Sequence, residues 1–244
     1  MRSSLLTAKT KEFKAELSDR HFQWPDRKFV PSVIDALAAR NPKDRIAITM
    51  VPGWQGSRYV HPHKVIKRDG DKWDCLLAHN PNVRLGQFLV RGKLADWQNG
   101  VARYCRLSSR LRLAAGVSFG AVILRRLRLD SFGFHFFGDT SSGKTLCLRV
   151  TGSVPGFNSD AGPTTWDGTL TGIEQLALGT RDNVTLLDET DAIEGNEKTK
   201  AEFVKLNIFK LSKNQQQLRA GHYAQAHTVE SDTRNIFMSS GETS

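Results

Sequence analysis

Eight consecutive residues, Gly138, Asp139, Thr140, Ser141, Ser142, Gly143, Lys144 and Thr145, form the pattern G-x-x-x-x-G-K-T. Their types suit one chemistry, the holding of a polyphosphate. Gly138 and Gly143 let the backbone turn tightly, so that successive N–H groups and the positive end of a following helix converge on one phosphate. Lys144 adds a point charge for the β- and γ-phosphates, and the Thr145 hydroxyl is a hard oxygen placed to ligate Mg2+. Further along, the apolar run Val184, Thr185, Leu186, Leu187 ends in Asp188 and Glu189. An apolar strand running into such a pair puts one carboxylate near a metal and its neighbour near an attacking water. Asp188 is expected to hold Mg2+ through its water shell, and Glu189 to orient or deprotonate the water. The cofactors this implies are ATP and Mg2+.

These groups work only if a strand, a loop and a helix follow one another. Residues 132–137, Phe-Gly-Phe-His-Phe-Phe, are aromatic and end at Gly138, which predicts a short buried strand. Residues 146–150 lack glycine and proline and predict a helix from Thr145. Around this centre the chain is expected to be α/β, a P-loop NTPase core with helices flanking a sheet. A polar, flexible lead-in is expected over 1–28, a small β-rich module over 29–91, a helical connector over 92–130 and the P-loop core over 131–244. Strands are predicted near 45–51, 58–66 and 72–77, and helices over 92–106 and 111–127. Thr171-Gly172-Ile173-Glu174 has the capping-box pattern for a short helix closed by Gly179. Residues 155–168 read as loop, 201–211 as helix and 234–238 as a last strand.

At 244 residues, with 39% hydrophobic and 25% charged residues, the chain is long enough for one sizeable core plus a smaller module. No apolar run approaches membrane-spanning length and the first residues carry no hydrophobic signal core, so a cytoplasmic location is expected. Cys75, Cys105 and Cys147 are odd in number and never in C-x-x-C spacing, which argues against a disulfide framework or a zinc site. The net charge of +10 favours a polyanionic partner. Between Trp97 and Leu129 stand Arg103, Arg106, Arg110, Arg112, Arg125, Arg126 and Arg128 and no acid. Arg103, Arg106 and Arg110 follow i, i+3, i+7 spacing, so one helical face would present all three to a phosphate backbone.

The order Trp97, Arg112 with Phe119, GFHFFGDTSSGKT, Trp166 with Gly172-Ile173-Glu174, LLDE, LSKNQQQLRAG and SSGE resembles the bacterial domain-of-unknown-function 927 family. That family comprises P-loop ATPases described as superfamily-three-like or primase-associated helicases of plasmids, phages and integrated elements. The resemblance implies an ATPase of the additional-catalytic-Glu type and, by analogy, a role in replication or maintenance of a mobile element. It implies that Ser239 or Ser240, of which Ser240 is preferred, is a polar sensor of the γ-phosphate or the water. It also implies that Arg219 is an arginine finger or a DNA contact. In such ATPases a strand and a lid follow the sensor, so a C-terminal strand and lid are expected to be missing here. The expected partners are DNA, single-stranded or duplex, further copies of the chain and a longer replication protein. The first reading is a helicase-like ATPase working on DNA. The alternative is a nucleotide-binding, DNA-interacting module with little or no hydrolysis. A small-molecule kinase would share the loop but gives no account of the Asp-Glu pair.

Overall fold

The computed structural model describes residues 32, 35–36, 46–71, 74–78, 88–157, 162–212 and 233–242. The chain divides into two units, residues 1–48 with 72–74, and residues 49–71 with 75–244. Strands β1 (Ile46–Thr49) and β5 (Asp74–Leu77) each contain residues of both units. What positions the chemistry lies in the second unit.

There, β2 (Gly53–Gln55), β3 (Arg58–His61) and β4 (Lys64–Ile66) form an antiparallel meander. The single strand expected over 58–66 is split because Pro62 and His63 reverse the chain between β3 and β4. The connector follows as α1 (Leu94–Trp97), a π-helical turn (Gln98–Ala102), α2 (Arg103–Cys105) and α3 (Ser109–Leu127). Ser108 separates α2 from α3: its backbone is extended and its hydroxyl accepts from Leu111 N at 3.4 Å, capping the new helix. Then come β6 (Phe132–Phe137), α4 (Lys144–Ser153), β7 (Thr164–Thr165), α5 (Leu170–Gly179), β8 (Val184–Asp188), α6 (Glu197–Ser212) and β9 (Ile236–Gly241). The capping residue of α5 is Thr169, whose hydroxyl accepts from Gly172 N at 3.1 Å, and not Thr171 as the capping-box pattern suggested.

β6, β9, β8 and β7 form a parallel sheet in that order. Side chains alternate across a strand, so each strand feeds two cores. Val184 and Leu186 of β8, with Ile236 and Met238 of β9, meet Ala114, Val117, Ala121 and Leu124 of α3 and Leu148 of α4 on one face. The small alanines at helical spacing let α3 approach closely. Leu187 and Phe237 meet Trp166, Ile173, Leu176 and Ala177 and the α6 residue Leu211 on the other. The sheet is thus covered on both faces, as an all-parallel sheet requires.

The strand that leads into Gly138 is not buried as its aromatic sequence suggested. β6 pairs with β9 alone among the described residues, and Phe132 and Phe137 are 43% and 63% exposed. Its composition makes it a strand; its place at the sheet edge leaves those rings uncovered. The meander is fastened to the sheet by a buried charge. The Asp182 carboxylate accepts from Trp54 N at 2.8 Å and from Arg125 Nε at 2.8 Å, one residue before the start of the Asn183–Val184 approach to β8. Gly53 has φ +91°, and a Cβ there would stand 2.5 Å from Asp182 Oδ2, so glycine is required for this contact.

Candidate functional site

The carboxyl ends of parallel strands are where an α/β sheet places its ligand crevice. At that end here, Phe137 pairs with Gly241, and Leu187 pairs with Ser239, which brings Gly138, Ser240 and Asp188 to one edge. The cleft that opens there has a volume of about 610 Å3 and is lined by residues 140–146, Asp188, Glu189, Asp191, Ala192 and 240–242.

The loop is shaped by left-handed backbone at Gly138 (φ +142°), Ser141 (φ +65°) and Gly143 (φ +89°). Gly143 caps α4, so the free N–H groups at the start of that helix open toward the cleft. Lys144 begins α4 and turns back over the loop, its Nζ donating to Gly138 O at 2.6 Å and Asp139 O at 2.9 Å. Gly138 and Asp139 therefore serve through their carbonyls, while Thr140, Ser141, Ser142, Gly143, Lys144 and Thr145 line the cleft.

Across from the loop, Asp188 ends β8 and is 5% exposed. Ser240 Oγ donates to Asp188 Oδ1, and Glu189 N donates to the same oxygen at 3.2 Å. Glu189 has φ +56°, left-handed for a residue with a side chain, and its exposed carboxyl group lines the cleft. Ser239 and Ser240 both lie inside β9, which runs on to Gly241 and past the Met238 end expected from sequence. Alternation sends them to opposite faces. Ser240 reaches Asp188, whereas Ser239 Oγ accepts from Trp166 Nε1 at 2.8 Å and lies 3.0 Å from His135 Nδ1. Ser239 bonds within the scaffold and Ser240 faces the cleft.

Asp191 and Glu242 are cleft residues for which sequence reasoning gave no role. Asp191 Oδ2 accepts from Glu242 N at 3.0 Å, and Glu242 Oε1 accepts from Thr140 Oγ1 at 2.5 Å, joining β9, the turn after β8 and the loop 138–145. Their signal in the sequence was an acid four residues beyond the last apolar residue of each strand, Leu187 and Met238. With them, four carboxylates line the cleft among the described residues, against the Lys144 ammonium and the Lys200 ammonium 3.9 Å from Asp191. A bare polyphosphate would meet net negative charge, and a divalent cation reverses that balance.

The donor set fits such a cation. The Thr145 hydroxyl and the Asp188 carboxylate are hard oxygens on opposite walls of the cleft, and a carboxylate as buried as Asp188 calls for a positive partner. Among the described residues no three His, Cys, Asp or Glu side chains converge as a protein-only metal site. Mg2+ would thus complete its shell with phosphate oxygens and water, its usual habit. His61 and His63, two histidines one residue apart, engage the carbonyls of Pro155 (2.9 Å) and Phe88 (3.0 Å).

The arginines do not share a helical face. Arg103 belongs to α2, Arg106 lies in the turn after it and Arg110 stands in the first turn of α3. The i, i+3, i+7 spacing presumes one continuous helix, and the Ser108 cap interrupts it. Arg219 lies outside the described residues. Among the described residues no helix is long and apolar enough to cross a membrane.

The family described as Domain of unknown function (DUF927) matches residues 1–231. No curated protein matches the sequence. A solved structure described as "SCCmec type IV Cch - active helicase" is similar in fold, with a TM-score of 0.65 and 16% sequence identity over 100% of this chain and 45% of that one. The chain therefore spans less than half the length of that helicase.

Proposed function

The chain belongs to the DUF927 family, and from that premise and the cleft we propose that it is an ATP-binding, Mg2+-dependent ATPase with a P-loop core, a helicase-like motor acting on DNA of a mobile element. The observation that carries this reading is the convergence, at one end of a parallel sheet, of the loop 138–145, the Asp188–Glu189 pair and Ser240. The likeness in fold to a protein described as an active helicase supports it.

In this reading the loop amides and Lys144 hold the β- and γ-phosphates, with Lys144 kept over the loop by the carbonyls of Gly138 and Asp139. Thr145 and Asp188 hold the metal, which when bound neutralises phosphate charge. Ser240 fixes one oxygen of Asp188 and leaves the other free to face the metal's water shell. Glu189 accepts a proton from the attacking water or orients it. Arg219, in the segment before β9, is proposed as an arginine finger or DNA contact.

One observation favours the slower alternative, a nucleotide-binding module that hydrolyses little. No arginine lines the cleft among the described residues. A positioned arginine contributes on the order of a thousandfold or more in such enzymes, and in this reading it comes from Arg219 or from a second copy of the chain. The deciding measurement is steady-state ATP hydrolysis with Mg2+, with and without single-stranded DNA, over a range of protein concentrations. An ATPase gives turnover that rises more than linearly with protein and disappears in Glu189→Gln, which still binds ATP. Lys144→Ala loses ATP binding while keeping its fold. Equal ATP binding by Lys144→Ala and the parent would refute the loop assignment.

A further inference from the structure

The helical corner between α2 and α3 carries a pattern that the cleft does not use. Arg112, in the first turn of α3, donates from Nε to Cys105 O at 3.3 Å and from Nη2 to Arg106 O at 2.9 Å. It neutralises the carbonyl end of α2 and fixes the turn, so it is a structural residue. Arg103, Arg106 and Arg110 remain exposed, and among the described residues no carboxylate forms an ion pair with them. Between them the corner exposes two apolar side chains, Tyr104 at 53% and Leu107 at 80%. The Arg103 guanidinium lies 5.8 Å from the Tyr104 ring centroid, within cation–π range.

We propose that this corner binds single-stranded nucleic acid, with Arg103, Arg106 and Arg110 on the phosphates and the exposed Tyr104 ring stacked under a base. The charge fits a polyanion, since no acid occurs between Trp97 and Leu129. The ring selects the strandedness. Bases of a duplex are stacked on each other and offer no open π-face to a surface tyrosine, whereas unpaired bases stack on aromatic platforms in a sequence-tolerant way. The corner is held against the phosphate-loop helix, since Trp97 Nε1 donates to Ser153 Oγ at 2.9 Å in the last turn of α4. This inference deepens the DNA part of the proposed function without depending on ATP.

The test is fluorescence-anisotropy titration of the full chain, in EDTA and without nucleotide, against a labelled 20-mer of oligo(dT), the same length of oligo(U), and a 20-base-pair duplex. Tyr104→Ala is expected to weaken single-strand binding about tenfold and Tyr104→Phe to restore it, because the π-face and not the hydroxyl stacks. The triple Arg103→Ala, Arg106→Ala, Arg110→Ala variant is expected to lower the log–log salt slope by about two. Duplex binding should be weaker and indifferent to Tyr104. Preference for oligo(dT) or oligo(U) identifies DNA or RNA as the source of the strand. Basal ATP hydrolysis of Tyr104→Ala should match the parent, which separates this surface from the cleft. The proposal fails if the parent binds no single strand, as a surface for an acidic protein would behave, or if Tyr104→Ala binds it as tightly as the parent.

Discussion

At the scale of single residues, the cleft depends on groups that sequence separates by a hundred positions. The loop residues and Asp188–Glu189 were legible because their chemistry dictates type and spacing, and the structure brings them into one cleft. The choice between Ser239 and Ser240 was not legible from the pair alone. Strand alternation turns Ser240 and not Ser239 toward the cleft, once β9 is seen to extend to Gly241. Gly241 itself was silent in the sequence. Its backbone needs no left-handed angle, yet a Cβ there would overlap Thr190 Oγ1 and come within 3.2 Å of His135 Cε1. Gly241→Ala is therefore expected to push the Thr190–Ala192 turn, and Glu189 with it, off the cleft wall. Overpacking of this kind costs about 1–3 kcal/mol. Urea denaturation should show that loss, and ATP titration should show affinity reduced by about tenfold. An unchanged affinity would mean that the turn moves without disturbing the phosphate site.

At the scale of elements, periodicity found the helices and strands but could not report neighbours. An aromatic run such as Phe132–Phe137 signals a strand, and nothing in it says whether one side or two sides are paired. β7 is two residues long, too short to show any period, and was absorbed into a predicted loop. The break between α2 and α3 did have a signal, a serine three residues ahead of the leucine whose N–H it caps. The separate helices expected over 92–106 and 111–127 already left a gap there, and the part not identified was the capping serine. Ser108→Ala should then cost about 1 kcal/mol, the usual value of an N-cap, because it leaves a donor at the start of α3 unmet. The check is the chemical-denaturation midpoint, with Ser108→Asp expected to recover it. The helix carries arginines and no acid in its first turn, so an added aspartate also meets a favourable field.

At the scale of the molecule, the larger unit joins two constructions, a meander and a covered parallel sheet, through polar contacts buried at their junction. Composition cannot reveal such contacts, because each pairs residues about 90 to 130 positions apart, as in Trp54 N to Asp182 and His61 to Pro155 O. Burial at the junction has a titration consequence. Desolvation is the main cause that lowers the pKa of His61 below its ordinary value of 6.5; His63 and Lys64 push the same way, and the Pro155 carbonyl opposes them. His61 is therefore neutral in the folded chain at a pH where the unfolded chain has already bound a proton. Stability is fully present above pH 6.5 and is lost as pH falls from there toward the lower folded value. Asp182 behaves oppositely: desolvation raises its pKa above 3.8 against the pull of Arg125, so its contribution to stability grows as pH falls through the acid range. The two are separable by substitution. His61→Gln keeps a donor for the Pro155 carbonyl and cannot titrate, so its unfolding free energy should be flatter than the parent's between pH 7.5 and 5.5. If urea unfolding gives parallel pH profiles for the two proteins, the imidazole exchanges protons as freely folded as unfolded, and the junction is open to water.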